Sequence, residues 1–338
     1  MNEQTTTTRI FEVNEAAWTW WRHQASSPGE WTRSYLTGRG LRGVQAGYAP
    51  EGWARLVGTL RRRGFVDDEL VAAGVAHRTS RGQVIDAFRD RLVLAIRDQH
   101  ANILGFTARR APDAGDDVAK YINTTSTAVY DKTHVLYGLD APAVRALAAG
   151  ARPVLVEGAL DVEAARRAGG NLVPIAACGT AITPEQLDLL RSIEPGAVGR
   201  LVVALDSDHA GQRAAARVWA MMPPAEQATA QAARLQPGAD PADYLRCGRR
   251  QDLTIALTGT HDLTQVVVDQ HLAAADLEHI EGRVVAVRAI ATELAHLPAA
   301  HLATTAAFLT ARMSERLDPQ TVTDEIIAAH LAQAGEAG

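Results

Sequence analysis

Apolar residues follow three different spacings along this chain. Residues 10–80 and 250–330 carry them at intervals of three and four, which predicts amphipathic helices. Residues 84–137 instead hold short β-rich runs. Segments 92–96 and 102–107 predict a hairpin, and 121–123 and 135–137 predict further strands. The expected order is therefore a helical front, a small antiparallel sheet and a helical end.

Residues 151–245 alternate between the two patterns. The apolar runs 153–156, 172–177, 200–205 and 230–235 predict strands, and segments 161–168, 185–193 and 210–222 between them predict helices. Thr183, Pro184 and Gln186 form a capping-box pattern that opens the helix at 185–193. Strands that alternate with helices of this length predict a parallel sheet covered on both faces.

These patterns predict an α/β protein with a mixed α+β N-terminal lobe, a Rossmann-like parallel sheet and a C-terminal helical subdomain. The expected domains are a tail and helix at 1–25, a basic lobe at 26–150, a metal-binding domain at 151–250 and a helical subdomain at 251–338. No internal repeat is present.

Composition and charge narrow the function classes. No apolar run is long enough to span a membrane and the polar N-terminus is unlike a signal peptide, so we expect a cytoplasmic protein without a membrane partner. The two cysteines, Cys178 and Cys247, are too far apart for a zinc ribbon.

Residues 1–150 carry 19 Lys and Arg against 16 Asp and Glu, whereas residues 151–338 carry 15 against 23. The net positive charge of residues 1–150 favours binding of phosphates, and the net negative charge of residues 151–338 favours binding of cations.

Carboxylates follow two of the predicted strands. Glu157 ends one apolar run and opens a Glu-Gly-x-x-Asp motif with Asp161, while Asp206 and Asp208 follow another run. Parallel strands present such residues at their carboxyl ends, and clustered carboxylates repel one another unless a cation lies between them. Oxygen ligands favour Mg²⁺ or Mn²⁺ over zinc. Asp240 follows the possible strand at 230–235 and completes the predicted site. The alternative is that these acids are helix caps and surface residues.

The front of the chain carries aromatic and basic residues with two possible roles. Trp18, Trp20 and Trp21 fit a packed core at helical spacing better than a base-stacking surface. The run Arg61 to Arg63 fits either a solvated helix end or a phosphate grip. Only two of the 34 basic residues are lysines, Lys120 and Lys132, which suggests that a compact charge is needed at those positions.

The acidic motifs, with Gly179-Thr180 between them, resemble the Toprim domain of bacterial DnaG-type primases, topoisomerases and some nucleases. Six further motifs run in the order found in the DnaG-type primase catalytic core: Tyr35-Leu-x-x-Arg39-Gly-Leu41, Gly47-Tyr48-Ala-Pro50, Phe88-Arg-Asp-Arg91, Gly105-Phe106-x-x-Arg109, Lys120-Tyr121-x-Asn123 and Lys132…Leu136-Tyr137-Gly138. The resemblance covers about residues 12–250, and together these motifs favour the primases.

The resemblance implies a role for each matching residue. Glu157 corresponds to the essential acid of the family, Asp206, Asp208 and Asp240 to its metal-binding aspartates, and Asp161 to a supporting acid. Basic residues for template and nucleotide phosphates correspond to Arg39, Arg91, Arg109, Lys120 and Lys132, with Tyr121 and Asn123 beside them. Lys120 is also a candidate catalytic residue together with Glu157. The alternative for each arginine is a structural salt bridge.

Some positions depart from the family pattern. The Asp-Pro-Asp of the family is here Asp240-Pro241-Ala242-Asp243, so the second carboxylate is displaced by one residue. Ala95 replaces a proline, and Thr107 and Ala108 replace two glycines. The chain begins about where the zinc ribbon of the family would end, and a full-sized helicase-binding end is missing or reduced. We therefore expect no zinc in this chain, and expect a separate zinc-ribbon polypeptide and a replicative helicase as partners.

The sequence thus predicts a primase catalytic core, possibly half of a split phage or mobile-element primase, that joins ribonucleoside triphosphates on a single-stranded DNA template with Mg²⁺ or Mn²⁺. Two alternatives stay open. One is a Toprim nuclease or topoisomerase, although the chain has no P-loop and no tyrosine after Tyr244. The other is a non-catalytic nucleic-acid-binding replication protein.

Overall fold

The computed structural model describes residues 3–27, 29–206 and 208–336. Its internal contacts divide the chain into two compact units that interleave along the sequence. The first unit comprises Met1–Ala151, Val156–Ile193 and Asp240–Thr254, and the second comprises Arg152–Leu155, Glu194–Ala239 and Ile255–Gly338. The predicted domain boundaries remain predictions. No helix in the described ranges combines the length and the apolar character that a membrane span requires.

The front of the chain has the predicted helical character and then the predicted strands. Its elements are α1 (Glu3–Gln24), α2 (Thr32–Gly38), β1 (Gly47–Ala49), α3 (Arg55–Arg62), α4 (Asp67–Ala72), β2 (Ala76–Arg78), β3 (Val84–Asp86), β4 (Arg91–Arg97), β5 (Ile103–Arg110), β6 (Tyr121–Asn123), β7 (Leu136–Tyr137) and α5 (Ala141–Ala148). Three short strands, β1 to β3, and helix α5 were not predicted.

A four-stranded antiparallel sheet of order β1-β4-β5-β6 forms the centre of the first unit. The predicted hairpin is confirmed as β4 and β5, which pair from Arg91↔Arg110 to Arg97↔Ile103. Its turn is held by Asp98, whose carboxylate accepts hydrogen bonds from the backbone of His100 and Asn102 at 2.8 Å each. That carboxylate therefore sets the register of the sheet that carries Arg109.

Aromatic side chains fill the core beside this sheet. Trp21 is 1% exposed and meets Phe106 and Phe88 edge-on at centroid distances of 4.8 and 5.5 Å. Trp18 is buried as well. Such edge-to-face pairs add to the free energy gained from burial alone. The core interpretation is therefore confirmed for these two tryptophans, whereas Trp53 is 66% exposed.

The remaining elements follow the predicted alternation and helical end. They are β8 (Arg152–Val156), α6 (Ala159–Ala165), β9 (Leu172–Ala177), α7 (Pro184–Ile193), β10 (Val202–Val203), α8 (His209–Ala220), α9 (Pro224–Gln227), β11 (Gln231–Ala232), α10 (Pro241–Arg246), α11 (Arg250–Thr258), β12 (His261–Asp262), α12 (Leu263–Ala274), α13 (Ile280–Leu294), α14 (Ala299–Met313) and α15 (Pro319–Glu336). Strands β10 and β11 are shorter than the predicted 200–205 and 230–235.

A parallel sheet organises the second unit. Strand β10 pairs in parallel with β8 on one side and with β11 on the other, and β12 joins β11 antiparallel. Helices α12 to α15 lie in the C-terminal region where the spacing of apolar residues at 250–330 predicts amphipathic helices. The predicted fold class is therefore confirmed, with a parallel sheet, a mixed α+β front and a helical end.

Helix α7 in the first unit begins with the predicted capping box. The Gln186 amide donates to the Thr183 hydroxyl at 3.3 Å, and the Thr183 amide donates to Gln186 Oε1 at 3.1 Å. The buried Gln186 Nε2 also donates to the carbonyls of Lys132 and Val135. This side chain therefore caps its own helix and anchors the loop that carries Lys132.

Candidate metal and nucleic-acid site

The turn after β8 places Glu157 at the end of a buried strand. Val154 to Val156 are 0 to 3% exposed, whereas Glu157 is exposed. Gly158 is the N-cap of α6 and donates its amide hydrogen to Asp161 Oδ2 at 3.1 Å. Asp161 therefore closes the first turn of α6 and fixes the backbone next to Glu157.

Asp240 and Asp243 cap helix α10 reciprocally. The Asp243 amide donates to Asp240 Oδ1 at 2.8 Å, and the Asp240 amide donates to Asp243 Oδ2 at 3.3 Å. Pro241 occupies the first turn, where its missing N–H costs nothing. The displaced carboxylate of this motif thus has a structural role at position 243.

Arg39 forms an ion pair with the cap of α10. Its guanidinium donates to Asp240 Oδ2 and lies 3.9 Å from Asp243 Oδ1. Burial alone would lower the pKa of Arg39, but the hydrogen bond to Asp240 together with the charges of Asp240 and Asp243 raises it. Gly40, at φ +71°, allows a close approach, because a Cβ there would lie 2.7 Å from the Leu245 carbonyl carbon. The salt bridge that formed the alternative for Arg39 is therefore present.

Two tyrosines interact with both the arginines and the acids of this unit. The Arg109 guanidinium carbon is 4.3 Å from the centre of the Tyr35 ring, a cation–π distance. Burial raises the pKa of Tyr121, the charge of Asp161 raises it further and Arg109 opposes it. Burial also raises the pKa of Tyr35, which interacts with Arg109, Arg39, Asp240 and Asp161. These interactions define one mixed cluster: Tyr35, Arg39, Arg109, Tyr121, Asp161 and Asp240.

The other predicted phosphate ligands differ in exposure. Lys120 and Lys132 are exposed, which leaves both ammonium groups accessible to a ligand. Arg91 is 6% exposed and donates to the carbonyls of Ala119 at 2.9 Å and Ala108 at 3.4 Å. Arg91 thus anchors the segment that leads to Lys120, and a direct phosphate contact by this residue stays a prediction. Asn123 donates its side-chain amide to the Cys178 carbonyl.

Asp206 and Asp208 belong to the second unit, where strands β8 and β10 run parallel with Leu155 opposite Val203. The Ala204 amide extends this ladder by donating to the Leu155 carbonyl at 2.8 Å. Asp206 lies two residues beyond, at the carboxyl end of β10. Asp208 is the N-cap of α8 and accepts from the Gly211 amide at 2.8 Å.

Gly211 is needed for the backbone to pass close to Asp206. A Cβ at position 211 would overlap the Asp206 carbonyl oxygen and lie 2.8 Å from the carbonyl carbon. No other residue fits there without a backbone shift. The path of the chain around Asp206 therefore explains why glycine stands at position 211.

No group of three or more His, Cys, Asp or Glu side chains in ranges 3–27, 29–206 and 208–336 is arranged to hold a metal ion. Asp161, Asp208 and Asp240 accept capping hydrogen bonds, the role that the alternative interpretation gave these acids, and Arg39 supplies a positive charge to Asp240. The donor set nevertheless consists of carboxylate oxygens, the ligands that Mg²⁺ and Mn²⁺ prefer. A divalent ion that binds Asp240 must compete with Arg39.

Tyr35 is a site residue that the sequence analysis named only as part of a motif. It lies four residues before Arg39, the C-cap of α2, and this spacing places both on the same side of the helix end. That spacing was the only available signal, because the contact with Arg109 spans the fold.

Five tyrosines should ionise only above their ordinary pKa of 10, namely Tyr35, Tyr48, Tyr121, Tyr130 and Tyr137. For Tyr48, burial and a hydrogen bond to Asp90 raise the pKa to about 12. The folded state thus favours the neutral phenols. Their contribution to stability is complete below pH 10 and is lost as the pH rises through the folded values.

A spectrophotometric titration of tyrosinate checks this expectation. The native chain should titrate at higher pH than the same chain in concentrated urea. Identical titration curves in the two solvents would contradict the raised values.

Comparisons with known proteins match two consecutive regions of the chain to family models. A family model described as the N-terminal domain of the DNA primase catalytic core matches residues 21–142, and a Toprim-like family model matches residues 154–245. The DNA primase of Streptomyces coelicolor is 39% identical over 219 residues, which cover 62% of this chain and 34% of that protein. The DNA primase of Mycolicibacterium smegmatis is 38% identical over 279 residues, which cover 78% and 42%. The chain thus spans less than half the length of these curated relatives.

Solved structures give a fuller match. The RNA polymerase domain of Mycobacterium tuberculosis primase DnaG, solved in complex with double-stranded DNA, has a TM-score of 0.77 and is 31% identical. The alignment covers 90% of this chain and 97% of that domain. A second structure of the same domain has a TM-score of 0.73 at 32% identity, and the alignment covers 83% of this chain and 91% of that domain.

Proposed function

The chain belongs to the DnaG-type DNA primase family and corresponds to its catalytic core, and from this premise we propose that it synthesises short RNA primers on single-stranded DNA. The observation that carries the proposal is the mixed cluster, in which acids predicted for metal binding interact with arginines predicted for phosphates. Phosphoryl transfer needs both kinds of charge in one place, because the reacting groups are anionic and the catalytic ion is cationic.

We propose that Glu157, Asp206, Asp208 and Asp240 hold the divalent ion, with Asp161 in support. When bound, Mg²⁺ or Mn²⁺ stabilises the attacking and leaving oxygens of a phosphoryl transfer. Zinc is not expected on an all-carboxylate donor set. The capping bonds of Asp161, Asp208 and Asp240 fix these carboxylates on helix ends, which reduces their conformational freedom before any ligand arrives.

The basic residues of the first unit provide the contacts to template and nucleotide phosphates. Arg109 is oriented by its stacking on Tyr35, and Arg39 by its ion pair with Asp240. The exposed Lys120 and Lys132 can bind phosphate as mobile point charges, and Lys120 is also the proposed catalytic cation. Tyr121 is protonated near neutral pH, as a phenol of ordinary or raised pKa is, so its hydroxyl can donate a hydrogen bond. Affinity for DNA should therefore fall as the salt concentration increases.

Ribonucleoside triphosphates and single-stranded DNA are the substrates of this proposal. A replicative helicase and a separate zinc-ribbon polypeptide remain predicted partners, as does the cytoplasmic location. The family resemblance alone supports the prediction of the two partners.

Incubation of the chain with mixed-sequence single-stranded DNA, four ribonucleotides and Mg²⁺ or Mn²⁺ tests the proposal. Incorporation of labelled ribonucleotide into short products is the expected result. Shortening of end-labelled DNA without incorporation would indicate a Toprim nuclease instead. Binding of DNA with neither reaction, also on a template with an annealed RNA primer, would indicate the non-catalytic alternative.

A further inference from the structure

Asp90 stands immediately before strand β4 in an unusual backbone conformation. Its φ is +45°, in the left-handed region that residues other than glycine rarely adopt. Aspartate tolerates this region better than most side chains, but glycine would adopt it without strain. The presence of a carboxylate where glycine would be less strained indicates that the side chain has a role.

The Asp90 carboxylate accepts two hydrogen bonds on the same oxygen. Oδ1 receives the indole N–H of Trp31 at 2.9 Å and the phenol O–H of Tyr48 at 3.0 Å. Hydrogen bonds to a charged acceptor are stronger than those between neutral groups. Because the indole nitrogen can only donate, the position of Oδ1 decides how the Trp31 ring is turned. Asp90 thus ties the start of α2 to strand β1.

Trp31 carries this restraint into the mixed cluster. It is the N-cap of α2, and the Tyr35 amide donates to its carbonyl at 3.0 Å, so the two side chains are one helical turn apart. Their rings meet edge to face at a centroid distance of 5.8 Å and an interplanar angle of 74°. Such a contact restricts the relative orientation of the two rings. The Tyr35 ring in turn faces the Arg109 guanidinium.

Arg109 is held at both ends of its side chain. Its backbone pairs with Leu92 in the β4–β5 ladder. Its guanidinium contacts the Tyr35 ring and donates from Nη1 to the Arg110 carbonyl at 2.9 Å. The cation–π contact restricts the plane of the guanidinium, and that plane decides how its N–H groups meet a phosphate. A side chain already held in its binding orientation loses less entropy when the ligand arrives.

We propose that Asp90 is a positioning residue for primer synthesis, which acts through Trp31 and Tyr35 to hold the Arg109 guanidinium in its phosphate-binding orientation. The inference rests on the proposed function, since Arg109 is there a ligand of template or nucleotide phosphates. The role belongs to Oδ1 as an acceptor. An amide oxygen in the same place should therefore fill it, whereas glycine should not.

Elongation of an RNA primer annealed to single-stranded DNA tests this role, with kcat/KM measured for the ribonucleotide and for the primed template. Asp90→Gly keeps the left-handed backbone but removes the acceptor. It should lower kcat/KM by about 10-fold for the substrate that Arg109→Gln affects, the low end of what a hydrogen bond to a charged group contributes. Asp90→Asn should stay within about 3-fold of wild type, because its amide oxygen can accept both hydrogen bonds. Tyr48→Phe is the matched control, since it removes only the other hydrogen bond to Oδ1 and should retain wild-type activity.

Coupling to Arg109 separates positioning from a general effect on the fold. If Asp90 acts through Arg109, Asp90→Gly should cause little further loss in a chain that already carries Arg109→Gln. Trp31→Phe keeps a ring against Tyr35 but lacks the N–H donor, and should reproduce the loss. This second variant decides the question if thermal unfolding shows that Asp90→Gly does not fold.

Three results would overturn the inference alone. They are wild-type kcat/KM in the folded Asp90→Gly or Trp31→Phe variant, equal losses in Asp90→Gly and Asp90→Asn, and the same proportional loss from Asp90→Gly with and without Arg109. Absence of elongation by the wild-type chain would overturn the proposed function, and the inference with it.

Discussion

Replacement of Glu157 by glutamine is expected to reduce primer synthesis by at least about 100-fold and to leave the fold unchanged. The carboxylate is exposed at the end of β8, so the isosteric amide should fit without repacking. The substitution removes only a charge, and a neutral amide is a much weaker ligand for Mg²⁺. Loss of a single preorganised electrostatic contact often costs about 10²–10³ in rate.

Elongation of an RNA primer annealed to single-stranded DNA measures this effect apart from initiation. Glu185→Gln is the matched control, since Glu185 is an exposed acid in the first turn of α7 and has no assigned role in the site. Its variant should retain wild-type activity. The affinity of Glu157→Gln for the template should change little, because the carboxylate does not bind phosphate. Equal elongation by wild type and Glu157→Gln would remove Glu157 from the metal site.

Features with a local cause could be predicted from the sequence. The β4–β5 hairpin follows from two β-rich runs around a polar turn, and β6 and β9 have the predicted boundaries. The Thr183–Gln186 capping box depends on residues three positions apart. Helix α5 was missed although Asp140 caps it and Pro142 occupies its first turn, because these signals lay between two stronger patterns.

Features that depend on tertiary packing could not be predicted in the same way. Arg39 and Asp240 are 201 residues apart, and the family resemblance implied a phosphate ligand for one and a metal ion for the other. The stacking of Arg109 on Tyr35 joins strand β5 to helix α2, and no local sequence pattern predicts such a contact. Arg91 matches a family motif, yet its burial beneath the segment that leads to Lys120 depends on how β4 and β5 fold. Motifs thus identified the residues, while their pairings required the structure.

The second large effect is expected at Gly211, whose role lies in the backbone. Gly211→Ala would place a methyl group against the Asp206 carbonyl, with its Cβ 2.8 Å from the carbonyl carbon and 3.1 Å from the Asp206 nitrogen. Backbone atoms cannot rotate away as a side chain can, so either Asp206 or the first turn of α8 must shift. Overpacking of this kind costs about 1–3 kcal/mol of stability. A displacement of about 1 Å at a reacting site can lower the rate by about 10²-fold.

Primer elongation, together with urea unfolding, separates the two effects of Gly211→Ala. We expect primer elongation to fall by about 100-fold. If urea unfolding of the variant is still cooperative, the chain is mostly folded without urea, and unfolding cannot explain a loss of that size. Gly58→Ala is the control, because it lies in α3 and a Cβ there meets only the end of the Arg62 side chain at 3.7 Å. That variant should be active and slightly more stable, since alanine is the better helix former. The same backbone path positions both Asp206 and Asp208, so the substitution should displace both carboxylates. Full activity of Gly211→Ala would therefore contradict a critical role for the position of Asp206.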